Sequence, residues 1–196
     1  DDFGLRTEYV YDKRGLLIET RIETFDEQGG NVWAVTRTTY DANGREVVTA
    51  DQFLVSIDGT TVLPDVADIT GTRFEYDVED RVTKEERIRG FSIGLQNPSD
   101  PTAVTSTFVE GPSFQIVSFS GMIYDNAGRP IESVDDFGRS TYFTYNNLGE
   151  LIQTRVQARD EADMPVDLVS WTVYNDKGQV AFTTDPHQSG SGDPVY

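Results

Sequence analysis

The chain has no cysteine in its 196 residues and a single histidine, His187. The first absence excludes a disulfide framework and any thiolate metal centre. The second excludes a multi-histidine metal site and leaves a Ser-His-Asp triad dependent on one residue in a polar tail. Basic residues are scarce: 16 Lys and Arg stand against 34 Asp and Glu, a formal net charge of −18. So acidic a surface repels nucleic-acid phosphates and anionic lipid headgroups, and neither nucleic acid nor membrane insertion is expected. No run approaches the roughly 20 apolar residues of a helical membrane span. No Gly-rich loop followed by Lys offers a phosphate cradle. No long apolar stripe at the helical period appears, so helix content is expected to be very low. Carboxylate pairs such as Asp135-Asp136 and Asp160-Glu161 are plentiful. Adjacency in sequence, however, does not set two carboxylates across a cleft, as glycoside hydrolysis requires. The acidic clusters around them do not fit the twelve-residue calcium loop either. The inventory predicts no catalytic residue, no metal and no cofactor, and the chain reads as a non-enzyme.

What is present is a sequence that repeats itself. The line that starts at Asp1, DDFGLRTEYVYDKRGLLIETR, returns at Asp135 as DDFGRSTYFTYNNLGELIQTR, with eleven of twenty-one positions identical and no gap. Self-similarity at a fixed phase marks a repeat architecture. Apolar residues make up 37% and aromatics 11% of the chain, enough for packed structure rather than disorder.

Inside the repeat lies a smaller motif: an aromatic residue, Asp or Asn, two free positions, then Gly. It occurs as Tyr11-Asp12-x-x-Gly15, Tyr40-Asp41-x-x-Gly44, Tyr124-Asp125-x-x-Gly128, Tyr145-Asn146-x-x-Gly149 and Tyr174-Asn175-x-x-Gly178. Phe25-Asp26-x-x-Gly29 is a variant, and Tyr76-Asp77-x-x-Asp80 puts Asp in the glycine place. The spacing is that of a hairpin turn. The Asp or Asn accepts hydrogen bonds from backbone N–H groups further along. Two helical residues follow, as in a type I turn, and Gly supplies the positive φ of a bulge. Asp80 can take that conformation at some cost. The Tyr ends the incoming strand and is placed to pack on a neighbouring hairpin.

The flanking segments support strands. NVWAVTRTTY, STYFTY and VSWTVY are rich in β-branched and aromatic residues, and so are the segments that follow each turn. The expectation is one continuous array of antiparallel hairpins over residues 1–196, with insertions at about 50–70 and 90–120. LQNPSDP reads as a long loop and DPHQSGSGDP as a loop or linker. ARDEADM is the best local helix candidate, but a connection between two strands fits it better.

The recurrent YDxxGR, clearest in YDANGRE and YDNAGRP, resembles the YD repeat of the RHS-repeat proteins, and DDFGRSTYFTYNNLGELIQ resembles the two-hairpin form of that repeat. The resemblance implies an all-β fold, a long sheet of sequential hairpins that spirals into a shell or tube wall. Shells of that family encapsulate a toxic C-terminal domain in bacterial toxin complexes, and in teneurins they form an extracellular barrel. The repeats are scaffold and carry no catalytic residue to transfer. The segment that closes such shells, with its self-cleaving aspartates, has no counterpart here.

The expected function is therefore structural: a wall-building segment of a large extracellular or cell-surface repeat protein. The alternative is a carbohydrate-binding β module, in which exposed aromatics stack on sugar rings. Written head to tail, Tyr196-Asp1-Asp2-Phe3-Gly4 completes the motif once more, in phase with Tyr11. The expected partners are thus further copies of the same chain, joined end to end as a tandem array, filament or tube, with carbohydrate as the alternative partner.

Overall fold

The computed structural model describes residues 5–58, 62–63, 69–96 and 104–188. The proposed junction of Tyr196 with Asp1–Gly4 lies outside them. The described residues contain fifteen β-strands and no helix, and the paired strands run antiparallel, most of them sequential neighbours. The chain divides into two compact units, residues 1–119 and 120–196.

In the first unit β1 (Thr7–Tyr11), β2 (Leu17–Phe25), β3 (Asn31–Tyr40) and β4 (Glu46–Ala50) follow one another in the sheet. The sheet then branches. Strand β3 offers one edge to two partners: Thr38–Tyr40 pair with β4, and Val32–Val35 pair with β5 (Phe53–Ser56). From β5 the chain passes to β6 (Val62–Leu63), while the free edge of β4 takes β7 (Thr70–Tyr76). Next come β8 (Val82–Gln96) and β9 (Thr105–Tyr124). Long strands thus occupy most of the described part of residues 90–120.

Branching gives this unit an interior. Val48, Ala50, Ile69, Ile88, Phe91 and Ile93 form one buried cluster, with Phe53, Phe108 and Phe114 packed on it. Trp33, Val35 and Val55 form a second cluster that shares Phe53. Each fully buried aliphatic or aromatic side chain contributes roughly 1.5–3 kcal/mol by leaving water. Two cross-links hold the second half of β8 and the start of β9 near β3. The Arg37 guanidinium donates to the Ile93 carbonyl at 2.8 Å, and Ser106 Oγ donates to the Thr38 carbonyl at 2.9 Å.

Two buried carboxylates are held by cross-strand bases. Glu19 is 1% exposed and accepts from Arg37 Nε at 2.6 Å and from Arg21. Glu86, equally buried, accepts from Arg73 Nε at 2.5 Å and pairs with Lys84 at 2.7 Å. Burial pushes the Glu86 carboxyl up, but the Lys84 and Arg73 hydrogen bonds outweigh it and hold the group below its ordinary value. Burying a carboxylate costs stability unless close ion pairs and hydrogen bonds offset the lost hydration.

The second unit begins within β9, whose residues Gly121–Tyr124 pair with β10 (Pro130–Val134). It continues through β11 (Ser140–Tyr145), β12 (Leu151–Arg159), β13 (Pro165–Tyr174) and β14 (Val180–Thr183). His187 and Gln188 form β15, two residues that pair with Leu168 and Val169 of β13. That part of the tail, read as a loop from its small polar residues, is held by backbone pairing that composition does not reveal. Val169 is the only buried apolar side chain among the described residues of this unit. Cross-strand contacts take the place of a core: Arg155 lies over the Tyr142 ring at 4.3 Å and pairs with Asp167 at 3.1 Å.

Candidate functional site

Nine turns among the described residues are built alike. The Oδ1 of Asp12, Asp26, Asp41, Asp77, Asp125, Asp135, Asn146, Asp160 or Asn175 accepts from the backbone N–H groups two and four residues on, at 2.7–3.0 Å. The residue three places on has positive φ: Gly15 +83°, Gly44 +84°, Gly128 +80°, Gly149 +84° and Gly178 +72°, with Asp80 at +65° and Asp163 at +61°. The Asp160 turn carries neither the Tyr nor the Gly. Its only sequence signal is the Asp-x-x-Asp spacing it shares with Asp77–Asp80.

A second contact depends on which residue opens the turn. At four of the seven Asp turns an Arg four places on completes a charged pair: Arg45 to Asp41 at 2.7 Å, Arg81 to Asp77 at 2.6 Å, and Arg129 and Arg139 to Asp125 and Asp135 at 2.8 Å. Where it is Asn, the polarity reverses. Asn146 Nδ2 donates to Glu150 Oε2 at 2.6 Å, and Asn175 Nδ2 donates to Gln179 Oε1 at 3.2 Å. Arg14 serves Asp12 from two places on, at 2.8 Å. The backbone N–H groups and the Arg129 guanidinium hold Asp125 below the ordinary carboxylate value. Burial works against Asp41 and Asp77, yet the same donors keep them low as well.

Within each unit the two edges of the sheet differ. Turns that begin with Tyr lie on one edge, and each is followed by a second register shift, directly beside Tyr11, Tyr40, Tyr76, Tyr145 and Tyr174 and across from Tyr124. On the opposite edge Phe25, Val134 and Arg159 stand in the Tyr place, and the strands pair without that shift. The Tyr hydroxyls reach backward along their edge. Tyr40 donates to the Leu17 carbonyl at 3.0 Å and Tyr76 to Glu46 at 2.8 Å. Tyr145 donates to Pro130 at 2.8 Å and Tyr174 to Leu151 at 3.1 Å. In every case the acceptor is the cross-strand partner of the preceding Tyr. The turn arginines reach forward. Arg45 and Arg129 lie 4.7 Å over the rings of Tyr76 and Tyr145, and Arg14 donates to the Asp41 carbonyl at 2.6 Å. Burial, with the Glu46 and Asp12 carboxylates, pushes the Tyr40 phenol up and keeps it a donor. The motif residues are therefore brought together as a row of clamps, each tying one hairpin to the next. Tyr11 opens the described row and is 48% exposed.

The opposite edge lacks these clamps, and in the second unit its gap stays open. Between the turns at Asp135 and Asp160 lies a groove of about 920 Å³ whose walls include Phe137, Arg139, Gln157, Arg159 and Asp167. Phe137 is 79% exposed, with the Arg139 guanidinium 5.2 Å over its ring. Gln157 Oε1 accepts from the Ser140 N–H at 3.3 Å, which directs the amide nitrogen away from that contact. The groove is not legible in the sequence because its walls come from the Asp135 turn and from strands β12 and β13. His187 lies in the short β15, where its Nδ1 contacts the Asp185 carbonyl at 2.9 Å. No group of three or more His, Asp or Glu able to hold a metal ion occurs among the described residues.

No family model matches the chain, and no curated protein matches it. Two solved structures align with it at low similarity, the crystal structures of TcdB2-TccC3-TEV and TcdB2-TccC3-Cdc42. Each is 12% identical over 90% of this chain, with TM-scores of 0.25 and 0.23. The chain spans only 14% of the length of either.

Proposed function

We propose that the chain is a structural segment of a large extracellular hairpin-repeat protein of the YD/RHS type, forming part of a shell, tube or filament wall. The observation that carries this reading is the row of clamps. The hydroxyls of Tyr40, Tyr76, Tyr145 and Tyr174 and the guanidinium groups of Arg14, Arg45 and Arg129 each bind a neighbouring hairpin. The motif thus spends its chemistry on lateral cohesion, which is what a wall under mechanical or solvent stress requires. The remote likeness to the TcdB2-TccC3 structures agrees with this reading without carrying it.

Among the described residues β1 and β14 each pair on one side only. Open strand edges attract further strands. In the proposed assembly, further hairpins of the same kind, from other copies joined head to tail, extend the sheet there. The test is sedimentation of the purified chain across concentration, with electron microscopy of the product. Growth into elongated particles is expected, together with its loss on Phe182→Lys in β14. A monomer at every concentration up to millimolar, with backbone amides of β1 and β14 both protected from exchange, would overturn the proposal.

A further inference from the structure

The register of the first five strands recurs at the end of the chain. Thr7 opposite Ile22, Thr38 opposite Thr49 and Val35 opposite Phe53 return as Thr141 opposite Val156, Thr172 opposite Thr183 and Val169 opposite His187. Strands β11 to β15 therefore repeat β1 to β5, branch included. Each edge that is open in one of these blocks is filled in the other. The edge of β4 takes β7, whereas the same edge of β14 pairs with nothing among the described residues. The outer edge of β11 takes β10, whereas the same edge of β1 pairs with nothing among them.

We propose that β14 of one copy of the chain pairs antiparallel with β1 of a second copy, with Phe182 opposite Glu8, Thr183 opposite Thr7 and Thr184 opposite Arg6. The proposal rests on the wall reading and names its joint. The two filled edges give this register separately. Strand β7 meets β4 through Arg73, Thr72 and Gly71, which stand three, four and five residues before Tyr76. Glu8, Thr7 and Arg6 stand at the same distances before Tyr11. Strand β10 meets β11 at Tyr142, Thr141 and Ser140, the counterparts of the same Glu8, Thr7 and Arg6.

The clamps lead to the same joint. Tyr76 reaches the Glu46 carbonyl at 2.8 Å across β7 and β4, two strands that no hairpin turn connects. A clamp therefore needs the pairing and not the covalent turn. The row of clamps is incomplete at both ends, in complementary ways. The Tyr11 hydroxyl has no partner among the described residues. Val180, the cross-strand partner of Tyr174, receives no Tyr hydroxyl there. In the proposed joint Tyr11 of the second copy donates to the Val180 carbonyl of the first. Pairing also covers Val180 and Phe182, 57% and 50% exposed. Gln179 stands where the first block has Arg45, so the joint lacks the guanidinium that lies over the Tyr76 ring.

The chain has no cysteine, so introduced cysteines report contact without background. Full-length Thr7→Cys and Thr183→Cys variants are mixed at assembling concentration and oxidised. Opposed residues of antiparallel strands lie about 4.5–5.5 Å apart at Cα, within disulfide reach, and diagonal ones about 7–8 Å apart, outside it. A mixed disulfide dimer is expected as the main product, and little from Thr7→Cys with Ala181→Cys. Tyr11→Phe should raise the concentration needed for assembly about fivefold. It should leave the urea midpoint of the dilute chain unchanged. Asn175→Asp/Gln179→Arg copies the Asp41–Arg45 turn and should lower that concentration about two- to fivefold. Elongated particles that give no mixed disulfide, that cross-link equally through Ala181→Cys, or that form undisturbed by Tyr11→Phe would overturn this joint and leave the wall reading standing. A chain that stays monomeric up to millimolar concentration would overturn both.

Discussion

The Tyr145 hydroxyl donates to the Pro130 carbonyl at 2.8 Å, and Pro130 is the cross-strand partner of Tyr124. One Tyr thus closes on the backbone that the previous Tyr has already paired. Removing the hydroxyl leaves the ring and its packing in place but deprives a half-buried carbonyl of its donor. Tyr145→Phe and Tyr174→Phe are each expected to cost about 1 kcal/mol, the net worth of one such hydrogen bond. Tyr9→Phe, whose exposed hydroxyl has no partner among the described residues, should cost nothing measurable. Urea denaturation of the three variants checks the difference.

Much of this was legible in the sequence, and the illegible parts share a cause. Gly15, Gly44, Gly128, Gly149 and Gly178 announce their turns because positive φ is written in the residue type. The clamp is not announced, because its acceptor is a backbone carbonyl that any residue supplies. Leu17, Glu46, Pro130 and Leu151 have nothing in common as side chains. The branch from β4 to β5 is equally silent, since Asp51-Gln52 contains no Gly or Pro to mark a change of partner. ARDEADM reads as a connection between two strands and is one, but the form of its Asp160 turn is not announced for want of Tyr and Gly, although Asp77–Asp80 displays the same spacing. The groove walls are scattered from Phe137 to Asp167, and only pairing of β11, β12 and β13 assembles them.

The reversed polarity of the Asn turns makes a sharper test. Asn146 gives its amide hydrogen to Glu150, whereas Asp125 takes one from Arg129. Asn146→Asp alone would set two carboxylates against each other and is expected to destabilise by several tenths of a kcal/mol. Glu150→Arg alone would set two donors together. The double variant Asn146→Asp/Glu150→Arg recreates the Asp-Arg turn and should recover most of the loss. A double-mutant cycle by thermal unfolding reads the coupling. Additive losses would mean that the side-chain pair contributes nothing to the turn.

Acid should loosen the array in a defined window. Asp12, Asp41, Asp77, Asp125 and Asp135 all have folded values below the ordinary carboxylate value, because turn N–H groups and arginines favour the charged form. A depressed folded value means that the unfolded chain binds protons first as pH falls. The stabilisation is complete above the unfolded value of about 4 and is lost as pH drops through the folded values. Urea midpoints should therefore hold level from neutral pH to about 5 and fall below about 4. Asp125→Asn should flatten that decline while lowering the neutral-pH midpoint. A midpoint that rises on acidification would show that relief of the net charge of −18 outweighs the turns.

The interior of the first unit depends on a missing side chain. Gly71 faces Ala50 and Ile88 in the sheet, and a Cβ placed on it would stand 2.4 Å from the Thr49 carbonyl oxygen and 2.6 Å from Cζ of the Phe91 ring. Its backbone does not require positive φ, so the demand is for space alone. Phe91 is fully buried and touches Phe108, whose ring lies 5.4 Å away centre to centre. It has no open direction in which to retreat, because the same cluster includes Val48, Ile88 and Ile93. Gly71→Ala is therefore expected to cost about 1–3 kcal/mol by overpacking. Gly94→Ala, on the same unit's β8 with nothing within 4 Å of the new atom, is the control and should be neutral or slightly stabilising. Pairing Gly71→Ala with Phe91→Leu should restore part of the loss, since the smaller side chain vacates the contested volume. If the two changes add without compensation, the Thr49 carbonyl oxygen rather than the Phe91 ring is what demands the glycine.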